Sequence, residues 1–149
     1  MKSPTRKLVF AALFVALAAA SCSRYSTSPA RSNLFHLRMA GLQVMDGKAH
    51  MAFGGLFLEN ASRFTVINVT NPSNPVVYLD IQETIPRGEH TFTTDPLTRQ
   101  QSAWLYESGD SRLNFDVIVV AQDGRSTTLH QGTFFSSASK STLRLVMEN

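Results

Sequence analysis

Ala40-Gly41-Leu42-Gln43-Val44-Met45-Asp46-Gly47-Lys48-Ala49-His50-Met51-Ala52-Phe53 is the stretch whose reading decides the fold class. Asp-Gly between two alternating runs is a strong signal for a two-residue β-hairpin, because both turn positions need positive φ. Pairing outward from Asp46-Gly47 sets Val44 opposite Ala49, Leu42 opposite Met51 and Ala40 opposite Phe53. That face is apolar. The other face carries Gln43 opposite His50 and Met45 beside Lys48, so it is wetter. The same register, carried further, pairs Leu37 with Leu56 and Phe35 with Leu58 on the opposite face. Both strands are therefore expected to change their buried side at Gly41 and Gly54-Gly55, where glycine permits a bend or bulge. Strands that cross from one sheet of a sandwich to the other behave this way.

Outward from this hairpin the pattern stays β. Phe64–Thr70 and Val76–Glu83 read as strands separated by Asn71-Pro72-Ser73-Asn74-Pro75, where each proline fixes φ and removes a donor. Thr91–Thr94 reads as a short strand, and Asp95–Gln101 as a polar loop. With Gly109-Asp110 as a turn, Tyr106 faces Leu113, Trp104 faces Phe115 and Ser102 faces Val117, with Glu107 opposite Arg112 on the other side. Asp123-Gly124 then turns the chain into Thr127–Phe135. A three-residue loop, Asp123–Arg125, places Leu129 against Val119; a two-residue loop does not. Phe134-Phe135 puts a ring on each face of that strand, so either both faces are covered or one ring is an exposed anchor. Ser136–Ser139 reads as a turn and Leu143–Val146 as a last strand, with no helix expected after Leu34. Eight or nine short antiparallel strands predict an all-β, immunoglobulin-like sandwich over 34–149, with a partly closed barrel as the alternative.

The N-terminus carries an address. Lys2, Arg6 and Lys7 form a basic head, Leu8–Ala20 an apolar run, and Ala18-Ala19-Ala20-Ser21-Cys22 closes it with small residues, as in a secretory signal. Thirteen apolar residues fall short of the ~20 that an ordinary membrane span needs. Ala19-Ala20-Ser21-Cys22 resembles the lipobox of bacterial lipoproteins, with Ala19 where that motif favours Leu. The resemblance implies cleavage before Cys22 and lipidation of Cys22, and Ser23 after it implies sorting to the outer membrane. The alternative is an ordinary cut after Ala20. Cys22 is the only cysteine, so simple export would leave a thiol with no intramolecular partner. Residues 1–21 are thus expected to be a signal, 22–33 a lipidated Cys with a flexible tether, and 34–149 the domain. The eleven residues Ser23–Asn33 would span on the order of 18 Å as a coil.

Of 14 Lys and Arg, three lie in the signal, leaving 11 against 11 Asp and Glu. A neutral mature chain has no basic stripe for nucleic acid. The four histidines, His36, His50, His90 and His130, have no cysteine in the domain to join them. Met39, Met45 and His50 share a face in the hairpin register, a soft donor set suited to Cu(I); otherwise Met fills gaps and His caps an edge. No Gly-x-Ser-x-Gly elbow, cysteine nucleophile or phosphate-binding glycine loop is present in residues 34–149. Asp80, Glu83 and Asp116 are carboxylates whose convergence spacing alone does not show. The sequons at Asn60 and Asn68 read as turn and strand residues.

These observations lead to a lipid-anchored, non-catalytic binding module without cofactor, an accessory or assembly subunit of an envelope complex on the periplasmic face of the outer membrane. Its domain is expected to be monomeric, its partners the membrane and another envelope protein. The proposed edge for strand addition is Leu143, Arg144, Leu145 and Val146. The alternative is a periplasmic ligand or Cu(I) binder.

Overall fold

The computed structural model describes residues 24–25 and 31–148. The expected signal at 1–21 and the expected lipidation site Cys22 lie outside the described residues, as does much of the expected tether. Two antiparallel sheets face one another. One contains β2 (Phe35–Met45), β3 (Lys48–Phe57) and β6 (Gly88–Thr93) in the order β2-β3-β6. The other contains β1 (Arg24–Tyr25), β4 (Ala61–Asn68), β5 (Val76–Ile81), β7 (Ser111–Ala121) and β8 (Ser126–Phe135) in the order β1-β8-β7-β4-β5. This is a sandwich and no closed barrel. Apart from β1, its strand order is that of an immunoglobulin-like Greek key whose fourth strand, β5, has joined the sheet of the last two.

Asp46 and Gly47 both take positive φ, 51° and 71°, as a tight hairpin turn of this type requires. The pairs Val44–Ala49, Leu42–Met51, Ala40–Phe53 and Gln43–His50 form as expected. Beyond them the register shifts between Leu37 and Met39, so that Leu37 faces Gly55 and Phe35 faces Phe57. The bulge corrects the expected change of face. It returns Phe35 and Leu37 to the buried side, and neither strand crosses between sheets. Gly55 is needed there, since a Cβ would stand 2.2 Å from the His36 carbonyl oxygen and 2.6 Å from the Phe35 ring.

The core fills the space between the sheets. Phe35, Phe57, Phe64 and Phe92 form one aromatic group, and Phe53, Phe115 and Tyr78 another, mostly in edge-to-face pairs. On β7, Leu113, Phe115, Val117, Val119 and Ala121 point inward in strict alternation. Leu129 faces Val117, one pair away from the expected Val119, because the loop is centred on Gln122–Gly124.

Segments expected as loop, turn or strand are helical in three places. Thr98 and Gln101 make a reciprocal capping box that starts α1 (Arg99–Ser102), and a 3₁₀ turn follows at Ala103–Tyr106. Trp104 is buried as expected, but against Phe135, with ring centroids 4.5 Å apart, and its indole N–H donates to Gln101 O at 2.9 Å. Phe115 is paired instead with Gln131 and Asn68. The last segment, Ser137–Glu148, is helix α2 rather than a turn and a strand. Ser136 caps it, its Oγ accepting from Ser139 N at 3.1 Å. Leu143, Arg144, Leu145 and Val146 therefore offer no strand edge.

The two ends of the sandwich differ. At one, β8 runs into α2, which packs beside the 3₁₀ turn, the start of β7 and the β2–β3 turn, where Met147 O lies close to Gly47. We call this the helical end. The opposite end is made of turns tied by polar contacts, including Gln122 N to Asn60 O, Arg87 N to Asn60 Oδ1, and an ion pair of Arg125 with Glu59.

Candidate binding groove

α2 turns its faces in an unusual way. Its packed side carries Lys140, Leu143 and, partly, Arg144 and Met147, spaced three and four apart. Lys140 is 1% exposed. Its Nζ donates to Ser111 Oγ at 2.7 Å, Glu107 O at 2.8 Å and Trp104 O at 3.3 Å. All three ammonium protons are thereby used, and the positive charge sits on carbonyls released at the end of the 3₁₀ turn. Arg144 repeats the arrangement one turn on, donating from Nη1 to Leu105 O at 2.8 Å and from Nη2 to Ser141 Oγ at 3.1 Å. No carboxylate among the described residues forms an ion pair with Lys140.

Above these contacts an open groove of about 480 Å³ separates α2 from the segment between the 3₁₀ turn and β7. Tyr106, Ser108 and Glu107 form one wall; Ser137, Arg144 and Glu148 line the other. Tyr106 is exposed over it. Ser111 and Lys140 have the composition of a Ser–Lys dyad; here Lys140 Nζ, buried, bonds three oxygens, and the Ser111 hydroxyl also lies 3.4 Å from Trp104 O. The contact is a structural tie. A groove with Arg144 on one wall, Glu107 and Glu148 on its flanks and an aromatic lip suits a peptide segment with polar and apolar groups.

The other predicted residues do not gather. Met39 and Met45 lie six residues apart on one continuous strand, about 20 Å at strand rise, which is too far to share an ion. His50 Nδ1 donates to Thr94 O at 2.9 Å. The Met39, Met45 and His50 set is thus not a metal centre, and no group of three His, Cys, Asp or Glu side chains suited to a metal occurs among the described residues. His90 donates to Pro86 O and stacks on Phe92. His130 bonds Asp116 at 2.5 Å beside a recess of about 220 Å³. Asp80 pairs with Arg63, which holds its carboxyl down to about 2, helped by bonds from Gln82 and Thr65. Asp80 and Asp116 thus serve separate cross-strand pairs. Asn60 lies in a turn and Asn68 ends β4, its Oδ1 accepting from Thr70 N.

Two signals for the groove were present in the sequence. Thr98-x-x-Gln101 is a capping-box pattern, and Lys140, Leu143, Arg144 and Met147 have helical spacing. The second was masked because two of its four packed positions carry charge.

No protein-family model, curated protein or solved structure matches the chain. No helix among the described residues is long and apolar enough to cross a membrane.

Proposed function

We propose that the protein is a lipoprotein held by Cys22 at the periplasmic face of the outer membrane, whose sandwich binds another envelope protein as an accessory or assembly subunit and performs no catalysis. The groove beside α2 is the docking site. The observation that carries this reading is Tyr106 exposed at the lip of a groove that Arg144 also lines. Tyr and Arg are the residue types that recur as anchors in protein interfaces. The anchor rests on the N-terminal pattern Ala19-Ala20-Ser21-Cys22. Acyl chains contribute about 0.8 kcal/mol per buried CH₂, and a mature chain near neutrality has little electrostatic affinity of its own for anionic lipid.

A photoreactive residue in place of exposed Ser108, which lines the groove, is expected to capture one envelope protein in intact cells. The same residue at Ser126, at the opposite end, is expected to capture none. Equal capture at both positions, or none at either, removes the groove as the docking site. Cys22→Ser is expected to leave the outer-membrane fraction, as unprocessed precursor in the inner membrane or as soluble periplasmic protein. Retention of this variant in the outer membrane at the parental level refutes anchoring by lipid.

A further inference from the structure

Two independent features coincide at the helical end. The first is where the chain enters. β1 is antiparallel to β8, with Arg24 opposite Phe134 and Tyr25 opposite Thr133. Going backward from Arg24, the strand direction leads past Phe135 toward α2. Cys22 is two residues before Arg24, a reach of at most about 7 Å even fully extended. The effective linker is then the single residue Ser23, where a free tether Ser23–Asn33 would have eleven.

The second feature is apolar exposure. Large hydrophobic side chains exposed among the described residues are Val77, Tyr106, Phe134, Leu145 and Val146, from 37% for Phe134 to 60% for Tyr106 and Leu145. All belong to the helical end. Phe134 sits one residue before the end of β8, Leu145 and Val146 on α2, Tyr106 at the groove lip, and Val77 near the start of β5 with its carbonyl bonded by Gln101 of the α1 segment. The opposite end is closed by polar side chains such as Glu59, Asp123 and Arg125. Aromatic and aliphatic groups gathered at one end suit the boundary between headgroups and acyl chains.

We infer that the helical end is seated on the bilayer surface, with Phe134, Leu145 and Val146 toward the lipid and the Asp123-Gly124 turn pointing away. The inference rests on lipidation of Cys22 and deepens the proposed reading. The groove opens close to the membrane plane, so the segment it takes lies near the headgroups. β7 alone has eleven residues and spans about 35 Å, so the two ends differ in depth by a distance that spectroscopy resolves.

Acylated Cys22 has no free thiol, and the chain has no other cysteine, so a single introduced cysteine can be labelled specifically. Full-length lipidated protein is reconstituted in phosphatidylethanolamine–phosphatidylglycerol vesicles carrying a headgroup-attached quencher. A fluorophore on Ala138→Cys, exposed near the start of α2, is expected to be strongly quenched. On Ser126→Cys it is expected to be unquenched. Equal quenching at both sites, or the reverse order, overturns the orientation. Ten Gly and Ser residues inserted between Ser23 and Arg24 are expected to lower the quenching at Ala138→Cys; unchanged quenching overturns the short linker as the cause. The intact mass reports the acyl chains separately. An unacylated protein defeats the anchor reading itself, whereas an acylated protein with equal quenching defeats only the seat.

Discussion

Replacing Lys140 by Met tests whether the buried ammonium holds α2 to the rest of the domain. Met keeps most of the aliphatic stem and removes the charge, so the desolvation cost of an ammonium, several kcal/mol, is relieved. Against this, three acceptors lose their donor. Trp104 O and Ser111 Oγ are buried, whereas Glu107 O is only part-buried and can turn to water. Hydrogen bonds from a charged donor contribute ~1.5–3 kcal/mol each, and each stranded buried acceptor costs ~1–3 kcal/mol. Ser111 already points its hydroxyl toward Trp104 O at 3.4 Å and recovers part of that loss. The expected net destabilisation is about 2–3 kcal/mol, a large fraction of the 5–15 kcal/mol typical of a domain. Urea unfolding of the soluble Cys22→Ser chain, with and without Lys140→Met, measures it from the midpoint at constant slope. Amide exchange in α2 is expected to rise more than exchange in β7. A midpoint shift worth less than about 0.5 kcal/mol, with α2 equally protected, refutes the account of Lys140 as the tie, because surface-like changes stay within that range.

Trp104→Ala is expected to destabilise by roughly 3–5 kcal/mol, since the ring is buried on Phe135. Trp104 is the only tryptophan, so native fluorescence at the water-exposed maximum would refute its burial. Gly55→Ala is expected to cost about 1–3 kcal/mol by forcing Cβ onto His36 O and the Phe35 ring, and a neutral result in urea unfolding argues against that packing. For Asp80, the folded carboxyl is lowered from 3.8 to about 2 by Arg63, so its contribution is complete above 3.8 and disappears as pH falls toward 2. The pair is partly solvated, which limits the effect to about 1 kcal/mol. Asp80→Asn is expected to flatten the stability profile between those pH values, and an unchanged acid limb rejects the pair.

The hairpin around Asp46-Gly47 was readable because turn chemistry and alternation agree there: two positive-φ positions fix the register, and every second residue is apolar. Extrapolation from it failed at Arg38. A bulge adds one residue to β2 with no glycine or proline in that strand at the spot, although Gly54-Gly55 stand opposite it, and a one-residue slip sends each later side chain to the other face. Ser102–Tyr106 misled for a different reason. Trp104 and Tyr106 alternate with smaller residues as in a strand, and a following Gly109-Asp110 completes the pattern of a hairpin. The local capping box at Thr98 and Gln101 outweighs that pattern, and a 3₁₀ turn places Trp104 inside without a ladder. Phe134-Phe135 left two readings open. The structure selects the second, with Phe135 in the core and Phe134 exposed.

The groove was harder to read, and α2 shows why. Sequence patterning assumes that a helix hides its apolar residues and shows its charges. Here Lys140 is buried and Arg144 is half-buried, because the 3₁₀ turn ends in carbonyls that donors from α2 reach. The cations on the packed face answer a local hydrogen-bonding need, so they are explained by folding. Leu145 and Val146, turned to the outside, are not. Lys140, Leu143, Arg144 and Met147 already hold the packed face of the helix, and two further apolar groups in water add nothing to that seat. Exposed single hydrophobic residues are common, but the five among the described residues that lie at one end, beside the point where β1 enters, form a directional surface. Such a surface lowers its free energy only by meeting something apolar. Leu145→Ser with Val146→Ser is therefore expected to leave urea stability within about 0.5 kcal/mol of the parent while weakening whatever contact this end makes. A loss of stability well beyond that value would place both residues in the core and remove them from any docking surface.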